Sequence, residues 1–280
     1  MEQREMDLQE TEIARRGVQP AGFGALMINA DDWGFNESVT NPALACFLAG
    51  AVSSVSAMVF MEDSGRAAAL ALEHGVDAGL HLNFTAPFSA PHCPPALREH
   101  QQRCLRFLRF HRLAPAIYHP GLGASFRYVA QTQMEEFERL YGHRPTRIDG
   151  HHHMHLAANV LFAGLLPSGA IIRRNFFFQP GEKIWMNRAY RGWQDRILAR
   201  RHRIADFFFS IAPVEPYARI ERIVALARHH AVEVETHPAI PEEFQFLMNG
   251  GLAHCLGNVA VARGYRLPEA SDRPGKGGLQ

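Results

Sequence analysis

The chain has 280 residues, 47% of them apolar and 20% charged, and a formal net charge of +1. That balance excludes an intrinsically disordered chain and leaves no global positive field to attract nucleic acid. Its length suits a domain with a substantial core, and its 16 histidines outnumber the 3 tryptophans and 6 tyrosines together, an excess that points to metal ligation.

In chain order, residues 1–20 are polar and charged and read as a loose N-terminal arm without the apolar run of an export signal. No window approaches 18 uninterrupted apolar residues, so no membrane span is expected and a cytoplasmic location is the default. From 21 to 267, short apolar runs alternate with helical patterns. Strands are expected at 25–30, 53–60, 77–84, 146–150, 170–174, 204–209 and 232–236. Helices are expected at 38–49, 63–73, 134–141, 159–166, 193–201 and 220–229. Such alternation predicts an α/β domain with a parallel sheet and helices outside it, and seven repeats favour a barrel. The Pro- and Arg-rich stretch 86–125 breaks the rhythm and reads as a loop insertion after the third strand. Residues 268–280 read as a loose tail. The cysteines, Cys46, Cys93, Cys104 and Cys255, have neither zinc-finger nor C-x-x-C spacing, and reduced thiols are expected.

The polar residues fall in a pattern. Asn29-Ala30-Asp31-Asp32 closes the first expected strand, and His81 and Asn83 lie near the end of the third. Asp149-Gly150 and the run His151–His155 follow the fourth, and Glu235-Thr236-His237-Pro238 closes the seventh. All sit at carboxyl ends of strands, the edge where catalytic groups converge in parallel α/β folds. Singly, each has a plain explanation: Asp31-Asp32 as a helix cap, His81 as a hydrogen-bonded core residue, His237-Pro238 as ordinary loop chemistry. Together, a carboxylate and imidazoles with open coordination positions, a second carboxylate as base and a remote histidine as acid fit amide hydrolysis at a divalent ion. In an ideal strand Asp31 and Asp32 face opposite ways, so the chain must leave strand geometry there for both to serve one site.

The segments NADDWG (29–34), GLHLN (79–83), RPTRIDGHHHMH (144–155) and ETHP (235–238) resemble the YdjC/ChbG family of carbohydrate deacetylases, in order and spacing over roughly 26–247. The resemblance implies a deformed seven-stranded (β/α) barrel related to NodB-type deacetylases. It implies one divalent metal, Mg2+ or Zn2+, on Asp32, His81 and His151, with Asp31 as general base and His237 as general acid. Asn83, His153, His155 and Arg173 are then expected at the substrate, with His153 and His155 there or just behind the ligands. The stretch 176–210 is similar to a narrower, hopanoid-associated branch, HpnK. That similarity implies an N-acetylglucosaminyl-bacteriohopanetetrol substrate, a glycolipid, with other N-acetylated sugars such as chitooligosaccharides as the alternative. One departure from the family form is Ala239, where glycine commonly follows His-Pro.

Arginines at 188, 191, 196, 200, 201 and 203 accompany Trp185 and Trp193, so this basic helix is either a solvated face or a peripheral membrane contact. Two competing functions are weighed. A phosphoester hydrolase requires phosphate ligands, for which Arg173-Arg174 are the only obvious candidates. A non-catalytic, glycolipid-binding barrel would be expected to have a broken constellation.

Overall fold

The computed structural model describes residues 24–177 and 185–267, with only the backbone described at 185–189. The expected arm and tail, and the Trp185 and Arg188 side chains, lie outside the described residues. Seven parallel strands form one sheet: β1 (Ala25–Trp33), β2 (Ser54–Ala57), β3 (Ala78–Leu82), β4 (Arg147–Gly150), β5 (Ile171–Ile172), β6 (Phe207–Ser210) and β7 (Ala231–Thr236). Their spatial order is β5-β4-β3-β2-β1-β7-β6, which is chain order read around a ring. The ring has a seam between β5 and β6. There Ile171 bridges Arg203, and the Phe177 amide bonds the Phe208 carbonyl at 2.8 Å. The result is the expected deformed (β/α) barrel, curled but joined along one side by isolated contacts.

Strand periodicity sorts the interior from the helix-covered wall. On β1, Leu26, Ile28 and Ala30 join the main apolar core, as do Val232 and Val234 on β7. The alternate positions meet one another inside the barrel through polar side chains. Arg147 donates to Asn29 Oδ1 at 2.6 Å and to the Val55 carbonyl at 2.8 Å, and Tyr265 Oη donates to Glu233 at 2.6 Å. Gly79 makes room for this network, because a Cβ there would lie 2.8 Å from Arg147 Nε.

The covering helices are α1 (Glu37–Leu48), α2 (Ser64–His74), α3 (Pro95–Phe110), α4 (Gly123–Tyr141), α5 (Ala158–Leu161), α6 (Trp185–Leu198), α7 (Tyr217–Leu226), α8 (Pro241–Met248) and α9 (Gly251–Leu256). Asn36 caps α1 by accepting from the Val39 amide, and Gly75 ends α2 in the left-handed region at φ 66°. The stretch expected to be a loop insertion is corrected: half of it is α3 and the start of α4. Helix α3 buries Leu97, Gln101, Cys104 and Leu108 at helical spacing, a stripe thin enough to hide among arginines. No helix among the described residues is long and apolar enough to cross a membrane.

Candidate metal centre

The backbone resolves the problem posed by adjacent Asp31 and Asp32. The β1–β2 register shifts between Ala30 and Trp33, and Asp32 takes a left-handed φ of 64°. Aspartate tolerates that region better than most residues, at a cost of order 1 kcal/mol. The bulge re-aims Asp32 so that its carboxylate joins His81 of β3 and His151 of the turn after β4. His151 opens a 3-10 turn, His151–Leu156, within which His152 and His153 are also left-handed at φ 53° and 59°.

Three donors converge there. Asp32 Oδ1 lies 3.3 Å from His81 Nε2 and 3.0 Å from His151 Nδ1. Metal–ligand distances of about 2.0–2.2 Å place neighbouring donors about 3 Å apart, so this spacing fits a first-row or magnesium ion. His81 Nδ1 donates to Asp149 at 2.8 Å, which fixes the tautomer that turns Nε2 toward the site. Burial opposes a charged His81, yet without an ion Asp149, Asp31 and Asp32 hold its imidazole up at about 10, and an ion on Nε2 would take the place of that proton. Burial likewise opposes ionised Asp32, but hydrogen bonds from His151 and His81 hold it well below the usual carboxylate range.

Behind the donors lies a buried acidic cluster. Arg173 grips Asp31 through both oxygens at 2.6 and 2.8 Å, and reaches Glu233 at 2.7 Å and Asp149 at 2.9 Å. Burial works against the Asp31 charge, and Arg173 then His81 outweigh it and hold the carboxyl low. Glu235 is placed differently. Burial, then the neighbouring Asp31, push it well above the carboxylate range, and its Oε2 has no hydrogen-bond partner. Carboxylates here outnumber the guanidiniums of Arg147 and Arg173. The residues present therefore suit a divalent cation.

The other expected site residues separate into two groups. His153 is half-buried beside Glu235 at 3.6 Å and packs edge-on against Phe176, with ring centroids 4.6 Å apart. His237 is half-buried just past β7, its amide donating to Glu243 at 2.6 Å. Glu243 also accepts from Thr236, so α8 fixes the turn in which Ala239 stands for the usual glycine. The last β1–β7 pair is Ala30 with Thr236, so Asp31 and His237 are the next step on adjacent strands.

Asn83, His155 and Arg173 form the second group. Expected at the substrate, all three are buried and engaged by the protein. Asn83 accepts from the Thr85 and Ala86 amides and donates to the Ala86 carbonyl, shaping the loop after β3. His155 donates to the Arg173 carbonyl at 2.9 Å, and burial pushes its imidazole down to about 4. Arg173 orders the acids.

Asp149, Glu233 and His152 had been assigned no role from sequence. For Asp149 the signal was available, an acid near the end of a buried strand, one glycine before the histidine run. His152 accompanies the ligand turn: its ring lies 3.9 Å from that of His151, and Thr85 Oγ1 is 3.0 Å from its Nδ1.

Fold and site define a class: a parallel (β/α) barrel with an Asp-His-His donor set at the carboxyl edge of its strands, backed by buried carboxylates. Residues 25–255 match the family model for YdjC-like protein, and the chain belongs to that family. It is similar to a carbohydrate deacetylase of Mus musculus, 30% identical over 141 residues, 48% of this chain and 44% of that one. It is similar to a chitooligosaccharide deacetylase of Serratia marcescens, 30% identical over 139 residues, covering 48% and 52%. A carbohydrate deacetylase of Geobacillus stearothermophilus is 31% identical over 137 residues, covering 48% and 51%. The chain spans about half the length of the curated relatives it matches. A solved structure from Enterococcus faecalis V583, described as a cellobiose-phosphate cleavage protein, shares the fold. Its TM-score is 0.62 at 16% identity, over 86% of this chain and 97% of that one.

Proposed function

We propose that this protein hydrolyses the acetamide of an N-acetylated sugar with one divalent metal, Mg2+ or Zn2+, held by Asp32, His81 and His151. The observation that carries this reading is the convergence of those donors beside Asp31, a buried carboxylate locked in ionised form by Arg173. A bound ion supplies Lewis acidity to the amide carbonyl. Asp31 accepts a proton from the attacking water, and Arg173 holds its oxygens in place while that happens. His237 donates a proton to the nitrogen as the C–N bond breaks, so acetate and a free amine leave. His153, kept uncharged by burial and by the Arg173 charge, faces this space as a substrate contact.

The activities for which these relatives are named support an N-acetylated carbohydrate as the substrate class. The finer reading is N-acetylglucosaminyl-bacteriohopanetetrol, supported by the similarity of residues 176–210 to the hopanoid-associated branch; a chitooligosaccharide is favoured instead by the Serratia relative. Among the described residues the site offers no phosphate cradle, because Arg173 is enclosed by acids and Arg174 bonds Asp195 at 2.7 Å. Asp31→Asn tests the assignment: it should bind metal as the wild type does and lose turnover. Normal deacetylation by that variant would refute the role of Asp31.

A further inference from the structure

Beside the site lies an apolar, basic surface that the proposed hydrolysis does not use. Phe110, the last residue of α3, is 88% exposed, and Leu113, Ile117 and Tyr118 follow at 56%, 54% and 46%. Scattered exposed apolar residues are ordinary, but four within nine residues form a patch of the kind that marks an interaction surface. The segment has a built shape. Ala114 is buried, the Ala114 and Ile117 amides bond the His111 and Ala114 carbonyls, and the His119 backbone is clasped at both N–H and C=O by Asn159. The apolar side chains thus project from an anchored loop.

Its charge is one-sided. No acidic residue occurs between Glu99 and Glu135, whereas Arg106, Arg109 and Arg112 are exposed beside the apolar tips. The loop also adjoins the metal centre. Arg109 donates to the Thr85 carbonyl at 3.2 Å, and Thr85 bonds His152, which packs on His151. The turn at 114–116 touches α5, after which exposed Phe162 meets exposed Trp193 of α6 at 5.9 Å. A second exposed aromatic pair therefore adjoins the helix that the 114–116 turn touches.

We propose that residues 106–118 dock the protein on an anionic lipid bilayer, with Phe110, Leu113, Ile117 and Tyr118 entering the interface and the arginines facing anionic headgroups. Interfacial segments combine these two features: apolar side chains provide partitioning, and each basic residue near an anionic surface adds attraction that salt screens. The docked segment then adjoins the metal centre through Arg109, Thr85 and His152. The proposal rests on the deacetylase reading only for what is presented there, an N-acetylated sugar.

The test is co-sedimentation of the full-length protein with vesicles of phosphatidylcholine alone or with phosphatidylglycerol added. Wild type should sediment with the anionic vesicles, less at high salt and little with phosphatidylcholine alone. F110S/I117S and R106Q/R112Q should each bind about tenfold more weakly. Both variants should keep wild-type circular dichroism and, if the deacetylase reading holds, wild-type turnover of a water-soluble chitooligosaccharide. Absence of wild-type binding, equal binding by folded variants, or equal binding to both vesicle types would overturn the proposal. So would a wild-type dimer that F110S/I117S converts to monomer, since a second copy would then cover the patch. Vesicle binding needs no turnover, so an inactive but lipid-bound protein would count against the deacetylase reading alone.

Discussion

Replacing Asp149 by asparagine keeps the size of the side chain and removes its charge. Asp149 accepts from His81 Nδ1 at 2.8 Å and from the Ser56 hydroxyl, and forms an ion pair with Arg173 at 2.9 Å. The gross attraction between full charges at that separation is about 6 kcal/mol at an effective dielectric near 20. Most of this is offset by the cost of burying the charge and by Arg173, which still has Asp31 and Glu233. What remains is the preference for the His81 tautomer whose Nε2 faces Asp32. Partners of this kind typically change metal affinity by about 10–100-fold, equivalent to roughly 1.4–2.7 kcal/mol. Isothermal titration of chelator-treated protein with Zn2+ should show that loss for Asp149→Asn, against near-complete loss for Asp32→Asn. Affinity within twofold of wild type in a folded Asp149→Asn protein would refute the claim that Asp149 sets the geometry of His81.

Three further outcomes follow from the buried groups. Asn83→Ala removes three hydrogen bonds to the loop after β3 and should lower stability to urea by about 2–3 kcal/mol with KM for a soluble sugar nearly unchanged; a large rise in KM at unchanged stability would restore Asn83 to the substrate. Arg173→Met strands Asp31, Asp149 and Glu233 without their shared cation and should destabilise the fold by about 3–5 kcal/mol, read from the urea midpoint; an unchanged midpoint would contradict the network. Burial pushes the Cys46 and Cys104 thiols up to about 12, so at pH 8 they stay protonated and should resist a thiol reagent until the protein unfolds. Rapid labelling of either residue in the native state would contradict their burial.

All seven strands were legible in the sequence because they are covered on both faces, and such strands appear as short apolar runs with conspicuous polar ends. β5 is the exception in extent: only Ile171–Ile172 pair regularly, because the chain there lies at the seam, where little ladder is available. Helix α3 was hidden because two of its four buried positions are Gln101 and Cys104. Residues 241–256, with helices α8 and α9, were not anticipated; both helices are short. At the site, spacing and resemblance together were enough to name Asp32, His81 and His151 as candidates, and the structure brings their donor atoms together. The bulge that lets Asp31 and Asp32 serve one site lies in the φ of Asp32, which residue identity does not reveal. Arg173 shows the same limit. An arginine on a buried strand resembles a ligand contact until β1, β4 and β7 are seen to supply acids around it. Asn83 and His155, polar residues near strand ends, gave a similar signal while supporting loops.

The most direct measurement of the central claim is mass spectrometry of N-acetylated substrates incubated with the metal-loaded protein. The panel should include chitooligosaccharides and N-acetylglucosaminyl-bacteriohopanetetrol, with Asp31→Asn and chelator-treated protein alongside. The account predicts loss of one acetyl group and release of acetate with wild type and metal, and no loss with the variant or after chelation. Retention of every acetyl group across the panel by folded, metal-bound wild type, or equal acetyl loss by Asp31→Asn, would contradict it.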